Sequence, residues 1–177
     1  MTIAAAAPDV VCMSITVEQT LSLRHSVLWP NMPISHVHLP EDAHGLHLGA
    51  FVPSHDHPVA VISLFTESVP IGVDTALTGS RHDGAQVRFR KFACDPGYQG
   101  LGIGSRLLQY SISVARSELN GTVFWCDART SSSDWYKKRG FISFGEKLFK
   151  GEVEYVRMYI QVGVSALVRE ENTDARG

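Results

Sequence analysis

Along this chain the spacing of hydrophobic positions changes several times, and each change marks an element. Val10 to Val17 is apolar and β-branched, as a first strand would be. Leu21, Leu23, Val27 and Leu28 then recur at helical intervals up to Trp29-Pro30, and Thr16 or Thr20 can cap that helix. From Asn31 to His44 no period holds. Leu46, Leu48, Ala50 and Val52 alternate within Gly45 to Val52, which predicts a strand. Pro53 to Pro58 is a turn, and Val59 to Phe65 answers as the second arm of a hairpin. Thr66 to Gly84 is long, polar and aperiodic, the kind of loop that usually carries function.

Val87 to Cys94 is a central strand that stops at Asp95-Pro96-Gly97. Ile103, Leu107, Leu108, Ile112, Ala115 and Leu119 mark one face of a helix, which Asn120-Gly121 ends. Thr122 to Cys126 is a short buried strand. Ser131 to Asp134 can cap a short helix through Arg139, with Gly140 at its end. Phe141 to Phe144 and Val153 to Val162 form a final strand pair around Gly145 to Gly151. The order β-α-loop-β-β-β-α-β-α-β-β predicts an α/β (α+β) domain, a mixed sheet with helices on both faces. No repeat or linker divides residues 10–163. Residues 1–9 and 164–177 read as flexible tails.

Composition narrows the function. At 177 residues with 44% hydrophobic and 19% charged content, the chain suits one globular domain with a core. A formal charge of −2 offers no basic field, so nucleic acid is not an expected partner. No apolar run is long enough for a membrane helix, and Ala4 to Ala7 lacks the features of a secretory signal. Cys12, Cys94 and Cys126 are odd in number and far apart. They read as reduced, small hydrophobes of a cytoplasmic protein. His36-x-His38, His44-x-x-His47 and His55-x-His57 have ligand-like spacings but no cysteine nearby, and no metal is expected.

The chemistry concentrates in Cys94-Asp95-Pro96-Gly97-Tyr98-Gln99-Gly100-Leu101-Gly102-Ile103-Gly104-Ser105. A strand, a glycine-rich loop and a helix start present several backbone N–H groups to one anion. A Walker loop is excluded because Gly104 is followed by Ser105-Arg106, without the lysine. The Rossmann fingerprint fails because the third residue after Gly102 is Ser105. Gln99-x-x-Gly102-x-Gly104 resembles instead the pyrophosphate loop of the GNAT superfamily of acyl-CoA-dependent N-acetyltransferases. Trp135-Tyr136-Lys137-Lys138-Arg139-Gly140-Phe141 resembles the motif that closes the core of that family. The likeness is strong over about residues 85–160 and looser over the hairpin before it.

That resemblance implies a mixed, mostly antiparallel twisted sheet and acetyl-CoA as co-substrate. It implies that the strand ending at Cys94 splays from the next one, so that pantetheine pairs with Phe92, Ala93 and Cys94. The Cys94 N–H would polarise the thioester carbonyl. The pyrophosphate would rest on Gln99, Gly100, Leu101, Gly102, Ile103, Gly104 and Ser105. Tyr136 takes the place of the family's proton donor to the leaving thiolate, while Arg129 stands where many members carry a cofactor-contacting asparagine. Asp127 and Glu67 are candidate bases, and neither is assigned. The expected acceptor is a primary amine on a small molecule, met by the two aperiodic segments. Their His36, His38, Glu41, Asp42, Glu67, Asp74 and Asp83 suit a protonated amine. A non-catalytic acyl-CoA sensor and a protein N-acetyltransferase remain alternatives, and the enzyme would be a monomer or homodimer.

Overall fold

The computed structural model describes residues 8–70 and 84–162. Strand β1 (Val11–Ile15) ends at Thr16, because Thr16 builds a reciprocal cap for α1 (Val17–Leu23). Its hydroxyl accepts from the Gln19 N–H at 3.4 Å, and the Gln19 side chain accepts from the Thr16 N–H at 2.9 Å. Thr20 is not the cap; its hydroxyl donates to the Val17 carbonyl inside the helix. From Arg24 to Leu28 the helix widens into a π turn that delivers the chain to Trp29.

The remaining strands are β2 (Leu46–Phe51), β3 (Ala60–Thr66), β4 (Ala85–Cys94), β5 (Gly121–Arg129), β6 (Ile142–Lys150) and β7 (Val153–Gln161). They lie in the order β1-β2-β3-β4-β5-β7-β6, and only β4 and β5 run parallel. A parallel pair needs a crossover, and α2 (Ile103–Glu118) supplies it. Its Ile103, Leu107, Leu108 and Ala115 bury against Leu48, Ile62, Phe89 and Phe124. Val61, one residue from Ile62, faces the other way and packs with Leu23 and Ala93, under Val27 and Leu28. Helices therefore cover both faces. A short helix, α3 (Ser133–Lys137), follows β5.

The C-terminal hairpin departs from expectation. The periodicity limited the first of its strands to Phe141–Phe144, yet β6 runs on to Lys150 and turns at Gly151. Gly145, at φ +66°, sits where the β6–β7 register shifts between Phe144 and Leu148 instead of closing the strand. Most of β6 faces solvent, so no alternating apolar signal marks it. Cross-strand pairing holds it, including Lys147 with Glu154 at 2.9 Å.

Two irregularities of β4 position the site. Between the pairs Val61–Ala93 and Ser63–Arg90, β4 carries one residue more than β3, and within this bulge Lys91 takes φ +53°. On its other side, the pairing of β4 with β5 stops at Arg88–Trp125. Beyond that point the strands diverge.

Arg24 is completely buried and fastens the π turn to the rest of the sheet. It donates to both Asp42 carboxylate oxygens at 2.8 and 2.9 Å, to Ser63 Oγ at 2.8 Å and to the Val37 carbonyl at 3.2 Å. Burial raises the Asp42 pKa, but the Arg24 hydrogen bonds, the Leu39 N–H and the Arg24 charge outweigh it and hold the carboxyl below its ordinary value. A depressed folded-state pKa gives stability that is present above the unfolded value and lost as pH falls through the folded one. Asp42→Asn leaves a buried guanidinium uncompensated and is expected to cost about 3–5 kcal/mol at neutral pH. Chemical denaturation of the variant should also show a flatter loss of stability towards acid.

Candidate active site

The turn after β4 is built by side chains that take up its backbone groups. Asp95 Oδ1 accepts from the Gly97 N–H at 2.8 Å, and Gln99 Nε2 donates to the Cys94 carbonyl at 2.9 Å. Gly100 and Gly102 have φ of +78° and +80°, a region that disfavours any side chain. A Cβ placed on either would meet nothing within 4 Å. Glycine is therefore required by the backbone, and the space before it is open. Gly102 is also the N-cap of the sixteen-residue α2, and it has no side chain to satisfy the first N–H groups. Those groups and the positive end of the helix dipole face the opening, a seat for a phosphate-like anion.

The opening is a cleft of about 640 Å³ between the end of β4 and the segment that follows β5. One wall is Phe92 and Cys94 of β4, and the other is Ser131, Ser132, Trp135 and Tyr136. The Asp95 N–H donates to the Val59 carbonyl at 2.9 Å, which makes Cys94 and Ala60 a non-hydrogen-bonded pair. The Cys94 N–H consequently points away from β3, towards the gap. Its position suits a donor to an extended chain or a carbonyl lying along the β4 edge.

Tyr136 is 8% exposed and packs against Phe89, Trp135 and Phe141. Burial pushes its phenol well above the ordinary range; the neighbouring Cys126 adds to this and Arg139 opposes it. The group stays protonated, a hydrogen-bond donor through the neutral and alkaline range. A second cavity, about 480 Å³, adjoins the first and shares Phe92, Gln99, Ser132 and Tyr136 with it. Trp29 from the end of the π turn, Leu39, and Tyr155 of β7 line it. A molecule in each cavity would meet at Tyr136.

The expected site residues separate by role. Phe92, Cys94, Gln99, Gly100, Gly102, Gly104, Ser105 and Tyr136 line the cleft together. Ala93 is buried against Leu23 and Val61 and Ile103 is in the core, so these two can serve only through backbone, while Leu101 is 45% exposed and lines neither cavity. Arg129 lines the second cavity instead of the cleft. Asp127 and Glu67 converge on one guanidinium: Arg88 donates to Asp127 at 2.5 Å and to Glu67 at 2.6 Å. Asp127 also holds Lys150 at 2.8 Å and Arg157 at 3.5 Å. Of the aperiodic segment Asn31–His44, only Leu39 lines the second cavity, while Asp74 and Asp83 lie outside the described residues.

Arg139 was not singled out by sequence reasoning. It donates to Ser105 Oγ at 2.7 and 3.0 Å and to the Trp135 carbonyl at 2.7 Å, with its guanidinium 3.6 Å above the Trp135 ring. This puts a fixed cation in the cleft beside the start of α2. Its place inside the Trp135–Phe141 motif was the available signal. Trp135, which opens the same motif, also lines the cleft with Ser131 and Ser132, and nothing in the spacing of the two serines marked them as site residues. Among the described residues no group of three or more His, Cys, Asp or Glu is placed to hold a metal, and no helix is long and apolar enough to cross a membrane. His47 belongs to the Arg24 network, bonded to Ser63 Oγ at 2.8 Å, and His55 meets the Tyr98 hydroxyl at 2.9 Å.

The start of α2, the open edge of β4 and the buried phenol of Tyr136 thus meet around these two cavities. The model of the acetyltransferase (GNAT) domain matches residues 60–143. The chain is 31% identical over 136 residues to YitI of Bacillus subtilis strain 168, described as an uncharacterized N-acetyltransferase; the match covers 75% of this chain and 83% of YitI. The chain belongs to the GNAT family of N-acetyltransferases. Among solved structures, an acyl-CoA N-acyltransferase from Pseudomonas aeruginosa shares the fold at a TM-score of 0.59 and 19% identity, over 86% of this chain and 98% of its own. A chain of the NatC complex, solved bound to Gag peptide and CoA, does so at 0.65 and 13%, over 88% and 99%.

Proposed function

We propose that this enzyme transfers the acetyl group of acetyl-CoA to the primary amine of a small molecule, by direct attack and with Tyr136 as the proton donor. The observation that carries the reading is the shared position of Tyr136 between the two cavities. The α2 N–H groups, with Arg139 beside them, would hold the pyrophosphate, and the β4 edge would hold the pantetheine. The structural neighbour solved with CoA supports this choice of co-substrate.

In the reaction the amine nitrogen bonds to the thioester carbonyl carbon, whose oxygen gathers charge at the Cys94 N–H. The C–S bond then breaks, the sulfur keeps the electron pair, and the Tyr136 O–H donates to it. The ammonium proton leaves to solvent, and the Tyr136 phenolate takes one proton back from solvent, so the thiol departs protonated and the enzyme is restored. No covalent enzyme intermediate is needed. Cys12, Cys94 and Cys126 are all free, which supports a reducing compartment such as the cytoplasm.

Because Tyr136 keeps its proton and the acceptor must lose one, kcat/KM for the acceptor should rise with pH across about pH 6 to 9 without an alkaline decline. A pH profile of thiol release checks this, and a descending limb in that range would remove Tyr136 as the donor. The function itself is tested by incubating the enzyme with acetyl-CoA and pools of small amines. Free thiol and acetylated amine should appear in equal amounts. If CoA fails to bind by calorimetry, the reading is wrong.

A further inference from the structure

The second cavity has an unusual charge balance. Among the described residues it is lined by five cations, Arg88, Arg90, Lys91, Arg129 and Lys150, against one carboxylate, Asp127. That carboxylate is already held by Arg88 and Lys150, with Arg157 behind it. Arg88 has Glu67 as a second partner, and Arg90 reaches the half-exposed Glu41 at 3.5 Å. Two cations are left over. Lys91 and Arg129 make no ion pair among the described residues. Lys91 rides on the β4 bulge at φ +53°, half-buried, with its ammonium 5.6 Å from the centre of the Trp29 ring. Burial and the nearby Arg24 and Arg90 depress its pKa, the situation an incoming anion would relieve.

We infer that the acceptor is an amine that also bears an anionic group, a carboxylate or a phosphate, held by Lys91 and Arg129. This rests on the acetyltransferase reading above and names the substrate class of that site. It also reverses the expectation that acids of the aperiodic segments draw in a bare ammonium ion. Asp42 is locked on Arg24, and Glu41 and Glu67 each hold an arginine. A bare ammonium ion would enter a field of its own sign. An amine carrying its own anion enters neutralised, and the same cations then lower the pKa of its ammonium group. That favours the neutral nucleophile without a dedicated base, in keeping with the engagement of Asp127 and Glu67. Val27, Leu28, Trp29 and Leu39 give the cavity an apolar wall for the rest of the molecule.

The test compares matched acceptors with acetyl-CoA and the full chain, read as thiol release. In the carboxylate arm phenylalanine is set against phenethylamine and leucine against isoamylamine; in the phosphate arm glucosamine 6-phosphate is set against glucosamine. In at least one arm the anionic member should have a kcat/KM about tenfold or more higher, and the arm that responds identifies the anion. Lys91→Met and Arg129→Met, which keep the apolar stem, should each shrink that ratio while calorimetric CoA affinity stays at the wild-type value. The inference is overturned if the neutral members do as well in both arms, if no anionic amine is acetylated, or if neither variant changes the ratio. Calorimetry separates the two levels: intact CoA binding with neutral amines preferred sinks only the anion assignment, whereas absent CoA binding sinks the acetyltransferase reading with it.

Discussion

Tyr136→Phe is expected to lower kcat by roughly ten- to a thousandfold while leaving the KM for acetyl-CoA close to wild type. The ring is held by Phe89 at 5.9 Å, Trp135 at 5.0 Å and Phe141 at 5.5 Å between centroids, and phenylalanine preserves each of these contacts. The change therefore removes one O–H at the seam of the two cavities and little else. Thermal stability should stay within about 0.5 kcal/mol of wild type, as for substitutions that disturb no packing. A variant with poor folding would mean that the hydroxyl is structural. Unchanged kcat, with chemistry limiting in single-turnover measurements, would take Tyr136 out of the mechanism and favour a domain that binds acyl-CoA for another purpose.

Gly104→Glu should weaken CoA binding by a hundredfold or more, which corresponds to about 2.7 kcal/mol. Gly104 is the better choice than Gly100 or Gly102, whose positive φ would confound lost binding with backbone strain. A Cβ at Gly104 sits 3.5 Å from the Phe92 ring, an ordinary contact. Replacing glycine in the first turn of α2 by glutamate recovers some helix propensity and places a negative charge at the favourable end of the dipole. The ligand-free protein should therefore melt no lower than wild type. Only the rise in melting temperature with added CoA should disappear, because the carboxylate fills the seat meant for a phosphate and repels it. If the variant binds CoA as wild type does, the start of α2 is not the seat.

The two predictions depend on parts of the molecule that were legible to different degrees. The Gln99–Gly104 loop was readable because its chemistry is local: glycines at positive φ, a helix start and an unsatisfied row of N–H groups all lie within six residues. The helices were readable because each buries a continuous stripe. The full length of β6 was not, since an edge strand exposed on most of its length has no apolar period to reveal it. The second cavity was hidden for another reason. Trp29, Lys91, Arg129, Lys150 and Tyr155 are far apart in sequence and meet only through a π turn, a bulge in β4 and the pairing of β5 with β7. Counting acids in the aperiodic segments did not reveal its cations, and among the described residues Glu41, Asp42 and Glu67 are all engaged by arginines. Arg139 sat inside a quoted motif and still went unassigned, because its value depends on Ser105 and Trp135 lying beside it.

The central claim is that one cleft, between the end of β4 and α3, holds acetyl-CoA with its thioester presented to the second cavity past Tyr136. A crystal structure of the enzyme with CoA tests it most directly. The pyrophosphate should lie within hydrogen-bonding distance of the first N–H groups of α2, the pantetheine should run along the β4 edge, and the sulfur should come to about 3–3.5 Å from the Tyr136 hydroxyl. CoA bound elsewhere, or bound in the cleft with its sulfur directed away from Tyr136 and the second cavity, would contradict the account.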